Sequence, residues 1–558
     1  MKKENINENI HINQIGYRLK DKKIAIINGR RSKLAFKNKI GNKFDIINDE
    51  NNEIIYSGDL TGGSLDESSG DIVYYADFTC IERSGAYHIS VQGLGRSFSF
   101  RIEEHVYKDV KNALIKGLYY QRCGVQLEEE HAGPWKHKAC HLQTGRLFED
   151  NSKTLDGTGG WHDAGDYGKY TVAGAYAAAF LLIAYELMPT SFGEAINIPE
   201  SGNGIPDILN ETRFELEWLM KMQDKASGGV YSKFTSKVFP DNLALDSKGV
   251  MPENDTHDLY FFPITSTATA DFAAVMGLAS RVYKQFDQSF AAECLEAAEK
   301  AWDWLDINKE LICPRNPPGV VTGEYWDDSD RDDRYWAAAE LFRTTYKKEY
   351  HDYVIKAFKT DEIENGMWWR SVGGLGNIAY LFADREKVDQ ITYNEIKDSL
   401  LGHADILLNN SKEDGYRLSF KNHYIWGSNL LVMNSAFYMI IANFIRPDNA
   451  YIEAAQCHMD YLLGRNAVNY CYVTGFGSKP VMYPHHRPSS ADGVEEPVPG
   501  LVSGGPNKEL QDRYAQKRLT GKPPARCFID SDLSYATNEV AIYWNTPAVF
   551  VAAYFDME

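Results

Sequence analysis

Positive charge is what this 558-residue chain is short of: 59 Lys and Arg stand against 78 Asp and Glu, a formal net charge of -19. Nucleic acid and anionic membrane surfaces both require a basic field, so neither is expected as a partner. Cysteine is sparse as well. The eight residues at 80, 123, 140, 294, 313, 457, 471 and 527 are scattered through a long chain, whereas disulfide frameworks pack many cysteines into short ones, so reduced thiols are expected. The start MKKENINENIHINQ has two lysines but no apolar stretch after them, and no hydrophobic run reads as long as a membrane span. These absences point to a cytoplasmic location.

What the chain does have is length, aromatics and two kinds of periodicity. Its 558 residues exceed what one core usually supports, so at least two domains are expected. Aromatic residues make up 13%. That surplus suits stacking against flat ligands such as sugar rings, although tyrosine in a core accounts for it almost as well. From His11 to about Arg101, short alternating runs (KIAIIN, AFKNK, KFDIIN, EIIYSGDL, IVYYADF, GAYHISVQG, RSFSFRI) are separated by Gly, Asn, Asp and Ser. The spacing predicts about seven strands of an immunoglobulin-like β-sandwich over residues 1–104. Near Glu103 and Glu104 the period changes from two to nearly four, and residues 105–558 form a second domain.

That second domain is almost entirely helical in pattern. Periodic segments near 106–122, 171–187, 207–223, 265–284, 289–306, 334–347, 349–360, 373–384, 391–409, 428–444, 448–464 and 539–555 predict twelve helices, hence six hairpins. Several, such as TVAGAYAAAFLLIAYEL, are rich in Ala and apolar on more than one face. Helices of that kind need a double layer, and a closed toroid of inner and outer helices provides one. Residues 465–538 break the pattern and are rich in Gly, Pro, Ser and Asn. A segment that long in a compact domain is more often functional than idle, and it carries PHHRPS, Pro484 to Ser489.

Chemistry first shows in GGWHDAGDYGKY, Gly159 to Tyr170. Asp163 and Asp166 stand behind Gly159 and Gly160, with Trp161, Tyr167 and Tyr170 around them. Small residues let a backbone approach a ligand closely, so the stretch reads as a loop that presents carboxylates. An Asx turn capping the apolar helix that follows reads equally well. Near the C-terminus, FIDSDLSYATNEVAIYWNTPAVF has Glu539 opening a helix, a place the helix dipole favours for any acid. Together with Asp163 and Asp166 it supplies what glycoside hydrolysis requires: one acid to protonate the leaving oxygen and another to activate water.

GGWHDAGDYGKY, PHHRPS and FIDSDLSYATNEVAIYWNT each resemble signatures of glycoside hydrolase family 9, the inverting cellulases and their relatives. NQIGYRLKDKKIAII resembles the immunoglobulin-like domain that precedes one branch of that family. Cys471 is a departure, standing where the histidine signature usually has a small β-type residue. The resemblance implies a mainly α fold with an (α/α)6 barrel. It implies Asp166 as general base, Asp163 as holder of the water and Glu539 as general acid, with His485, Arg487, Tyr535 and Trp161 on the substrate. It implies cleavage of β-1,4-glucosidic bonds in glucans or cello-oligosaccharides. An exo-β-glucosaminidase acting on chitosan oligosaccharides is the near alternative. A non-catalytic carbohydrate-binding protein is the alternative of another class, and the intact carboxylate set argues against it.

Two metal sites are also expected. Cys123, Cys140, His141 and His162 offer two thiolates and two imidazoles, which match a closed tetrahedral zinc site of structural type; two buried thiols and two surface histidines are the plainer alternative. The same four-ligand pattern occurs in the family branch with the immunoglobulin-like domain. By the resemblance, the acidic turn YWDDSDRDDRYW brings Asp332 and Asp333, with carbonyl help from about Asp328 and Ser329, to a calcium site. Ser371 stands where a further aspartate is usual.

Overall fold

The computed structural model describes residues 5–29, 42–240 and 249–557. The first part of the chain is two facing sheets. Their strands are β1 (Ile10–His11), β2 (Gly16–Tyr17), β3 (Ile24–Asn28), β4 (Lys43–Asn48), β5 (Ile54–Asp59), β6 (Thr61–Asp66), β7 (Asp71–Asp77), β8 (Gly85–Val91), β9 (Gly95–Arg96) and β10 (Phe100–Ile102). One sheet has the order β1-β3-β7-β6, the other β2-β10-β8-β4-β5 with β9 on β8. Six of the alternating runs are strands here, and AFKNK lies outside the described residues. The alternation pays for itself in the core: Ile46 and Ile89 face one another across β4 and β8, and Tyr17 meets Phe78 and Phe100 edge-on at 5.3 and 5.6 Å. β6, TGGSLD, was invisible to patterning because all but its last residue are exposed; its backbone pairing with β7 makes it a strand.

The second part is a double ring of twelve helices. Six of them, Thr171–Leu187, Ser266–Tyr283, Arg331–Thr345, Gly373–Leu381, Ser428–Ile445 and Ile542–Phe555, form the inner ring. The outer six are Lys108–Tyr119, Asp207–Met222, Gln288–Ile307, Lys348–Thr360, Gln390–Glu413 and Asn449–Leu462. Composition explains the sorting. Thr171–Leu187 is buried at every position through Tyr185, whereas Lys348–Thr360 buries only Tyr350, Val354 and Ala357. An all-apolar helix gains roughly 1.5–3 kcal/mol for each large side chain removed from water, so it takes the interior and leaves the rim to amphipathic partners.

Two expectations need correction. Ser428–Ile445 is long and apolar enough to cross a membrane, contrary to the reading that no run is; 78% of it is buried inside the protein, which identifies its apolarity as that of a core helix. The domain is also less purely helical than its pattern. Its loops carry a five-stranded sheet (Gly145–Leu147, Asp150–Leu155, Lys169–Tyr170, Lys233–Thr235, Tyr260–Phe261) and a two-stranded one. Most of these strands have only two or three residues, too few to show an alternation.

The sandwich braces the helices through buried polar contacts. Arg526 donates to both oxygens of Asp71 at 2.6 and 2.5 Å, and Asn13 donates to Asp460 at 3.0 Å. Ile26 and Val73 of the sandwich join the core of the helical domain.

Candidate active site

Five of the six inner helices are entered through loops that deliver side chains to one cleft of about 800 Å³. Asp163 and Asp166 precede Thr171, Tyr325 precedes Arg331, Trp368 and Trp369 precede Gly373, Trp426 precedes Ser428, and Glu539 precedes Ile542. The N-terminal ends of these helices carry partial positive charge, which favours carboxylates there. Residues 465–538 add His485, Arg487, Glu509, Gln511 and Tyr535 to the lining.

One wall holds the paired aspartates. Asp163 is 2% exposed. Its Oδ2 accepts the Tyr325 hydroxyl at 2.5 Å, its backbone amide donates to Gly168, and its carbonyl accepts the amide of Ile542 at 2.8 Å. Oδ1 is buried without a protein partner and is left for a ligand. Burial pushes the Asp163 carboxyl well above the usual range; the Tyr325 bond opposes that shift and the Asp166 charge adds to it. Asp166 is also raised by burial, but Arg487 and the Gly168 amide pull it back. Gly165 between them is required by close approach: a Cβ there would lie 2.0 Å from the carbonyl oxygen of His485. Arg487 donates from Nη1 to Gly165 O at 2.8 Å and from its own amide at 3.1 Å, so the two motifs are stitched together.

Glu539 stands on the other wall, and its place differs from expectation. The helix begins only at Ile542, and Glu539 is extended, with φ -67 and ψ 161. Bridges from Glu539 to His485 and from Val540 to Ser503 hold the chain open there, because the long segment supplies backbone partners that a helix would have made itself. Burial, then Asp166 and Asp163, push the Glu539 carboxyl well above its ordinary value, which favours its protonated form. The indole of Trp426 donates to its Oε2 at 3.0 Å. His485 is pushed down to about 4 by burial and by Arg487, hence neutral, and its Nδ1 lies 2.5 Å from the carbonyl of Asp532. Tyr535 packs on Trp426 with ring centroids 5.1 Å apart.

Trp161 is the expected substrate residue that the structure takes out of the cleft. It is 1% exposed, its indole donates to Glu211 at 2.8 Å, and its amide donates to Glu215 at 2.6 Å. Adjacency to Asp163 misled, because Glu211 and Glu215 of the helix Asp207–Met222 hold Trp161 in the core. Sequence reasoning missed Tyr325, Trp368, Trp369 and Trp426 as cleft residues. The aromatic surplus was their only signal, and an aromatic followed closely by the start of an inner helix is the pattern they share.

Cys123, Cys140, His141 and His162 come together. One ligand atom from each lies within 4.8 Å of the others, and all four residues are buried. Nε2 of His141 faces Asp255 at 3.2 Å while Nδ1 has no protein partner. A carboxylate on one ring nitrogen and a free second nitrogen is how a histidine is oriented toward a metal, so the set fits a metal ion. The site is tied to the aspartate loop by the Cys123 amide on Gly160 O at 2.8 Å and the His162 amide on Gln121 O at 2.7 Å.

The acidic turn is only partly committed to protein partners. Asp328 pairs with Arg370 at 3.0 Å, Asp332 accepts the amide of Val372 at 2.9 Å, and Asp333 lies beside Asp271, whose two oxygens are buried without a hydrogen-bond partner. Ser329 Oγ accepts the amide of Arg331 at 3.3 Å. Calcium needs six to eight converging oxygens, and the unpartnered oxygens of Asp271 would add to those of Asp332 and Asp333.

A family model described as glycosyl hydrolase family 9 matches residues 107–552, and one described as a cellulase N-terminal ig-like domain matches residues 5–96. The chain belongs to glycosyl hydrolase family 9. Among curated relatives, this family 9 hydrolase is 36% identical over 561 residues to a cellodextrinase of Butyrivibrio fibrisolvens, covering 97% of this chain and 98% of that one. Among solved structures, a single mutant of the thermostable endoglucanase of Alicyclobacillus acidocaldarius aligns with TM-score 0.91 at 36% identity, over 99% of this chain and 100% of the other. AaCel9A in complex with cellobiose-like isofagomine aligns with TM-score 0.91 at 37% identity, over 98% and 100%. The expected (α/α)6 barrel and immunoglobulin-like domain are therefore those of this family.

Proposed function

We propose that this family 9 hydrolase cleaves β-1,4-glucosidic bonds of cello-oligosaccharides with inversion. The observation that carries the reading is the gathering of Glu539, Asp163 and Asp166 in one aromatic-lined cleft, with the Glu539 carboxyl pushed toward its protonated form. In this mechanism Asp166 takes a proton from water, the water oxygen attacks the anomeric carbon, and the breaking glycosidic oxygen takes the proton of Glu539. Asp163, fixed by Tyr325, keeps its free Oδ1 for the attacking water. His485 and Arg487 hydrogen-bond sugar hydroxyls beside the scissile bond, and Trp426 and Tyr535 stack against sugar faces. A relative named a cellodextrinase and a neighbour holding a cellobiose-like ligand support glucose chains as substrate.

The metal is zinc in this reading. Two thiolates and two imidazoles form a closed set with no position for water, so the ion serves structure, bracing the loop of Asp163 and Asp166. Asp271, Asp332 and Asp333 are the donors that a calcium ion would take. Product analysis with reducing-end-labelled cellotetraose beside a chitosan tetramer, following the anomer released, tests the whole assignment. Cleavage of cellotetraose to an α-anomer is expected; a β-anomer as first product overturns inversion, and cleavage of the chitosan tetramer alone overturns the glucan substrate.

A further inference from the structure

Gln121 and His486 lie outside the cleft lining, 2% and 1% exposed, yet they connect its two halves. Gln121 follows the first outer helix; His486 sits between His485 and Arg487. Nε2 of Gln121 is 3.2 Å from the carbonyl of His162 and 3.0 Å from that of Ala164, the two carbonyls that flank Asp163. Its Oε1 is 2.9 Å from Nε2 of His486. Nδ1 of His486 is 2.9 Å from Oγ of Ser489, which accepts the amide of Val498 at 3.0 Å.

Every direction in this chain of bonds is determined. Backbone carbonyls only accept, so the Gln121 NH2 group must face residues 162 and 164. Its oxygen must then accept from His486, which puts the imidazole proton on Nε2 and leaves Nδ1 to accept the Ser489 hydroxyl. No other orientation of the amide or tautomer satisfies all the buried partners, and a buried polar group left unpaired costs about 1–3 kcal/mol.

We propose that Gln121 is a positioning residue, held in one orientation by His486, that fixes the Asp163–Asp166 loop against the segment bearing His485 and Arg487. The metal set braces this loop from the Cys123 side, and the Gln121–His486 clasp braces it at the residues next to Asp163. The proposal rests on the aspartates being the base side of the site. A displacement of about 1 Å at reacting groups can cost on the order of 10²-fold in rate.

Two measurements on the metal-replete enzyme test it. In 15N-histidine NMR spectra of the wild type, His486 shows the Nε2–H tautomer, and Q121L removes that fixed tautomer; an Nδ1–H signal in the wild type overturns the clasp whether or not the substrate assignment stands. In kinetics on cellotetraose, Q121L lowers kcat roughly 10²-fold with KM and bound metal unchanged. H486L does the same, H486Q, which keeps a donor to Gln121, restores most of the rate, and the Q121L/H486L double variant is no worse than Q121L. Retention of kcat in Q121L, or equal loss in H486L and H486Q, overturns the positioning role. A wild type inert on cellotetraose would instead count against the proposed substrate, with the NMR result still deciding the clasp.

Discussion

The two walls of the cleft are built on different principles. The wall with Asp163 and Asp166 comes from one short stretch, pinned from below by Cys123 and His162 and from beside by Gln121 and Arg487. The wall with Glu539 comes from chain-distant pieces, since the carboxyl gets its hydrogen bond from Trp426 and its backbone support from residues 485 and 504. A base must hold water at a fixed point and benefits from rigidity. An acid must first of all stay protonated, and low polarity with two nearby carboxylates is enough for that.

The sharpest way to break this comparison is to neutralise one wall at a time. D166N and E539Q should each lower turnover of cello-oligosaccharides by roughly 10²–10⁴-fold. On activated aryl glycosides, E539Q should recover much of the rate because the leaving group needs no proton, whereas D166N should not. Equal losses on both substrates would erase the distinction between base and acid.

Next in size is the metal that braces only the base wall. D255N should weaken metal retention roughly 10–100-fold, read by competition with a chelator. C140S should lose the ion, lower Tm and reduce kcat. Metal analysis finding no zinc in purified protein would remove the brace from the account.

The pH profile separates the walls more gently. Activity needs Asp166 ionised, so it falls as pH drops through that group, and needs Glu539 protonated, so it falls as pH rises through that one. Trp426 donates to the charged form of Glu539 and lowers its pKa. W426F should therefore move the alkaline limb of kcat/KM to higher pH and leave the acid limb in place. Movement of the acid limb alone would contradict the assignment.

The smallest effect concerns the acidic turn. R370A should leave Tm nearly unchanged, because the Arg370–Asp328 pair is open to solvent, and added calcium should raise the Tm of the wild type slightly by pairing the oxygens of Asp271. A Tm unmoved by calcium would leave the turn without an ion.

Legibility followed locality. Asp163, Asp166, His485, Arg487 and Glu539 were readable because each lies in a short stretch of distinctive composition. The twelve helices were readable because inner ones are apolar all round and outer ones on one face. Tyr325, Trp368, Trp369 and Trp426 were not, since they come from three loops that share no neighbours in sequence. Trp161 was misread because its partners, Glu211 and Glu215, lie about fifty residues away in sequence.

The sequence by itself determined which residues could do chemistry, which helices had to be buried, and that two thiols and two imidazoles were available to a metal. These are properties of side-chain type and period, set before the chain folds. Only the tertiary structure decided that Glu539 shares a cleft with Asp166, that burial favours its protonated form, that Trp161 anchors the core, and that Asp333 meets the buried Asp271. Those outcomes depend on burial and on distances between residues remote in the chain, and neither exists until the inner helices close their ring.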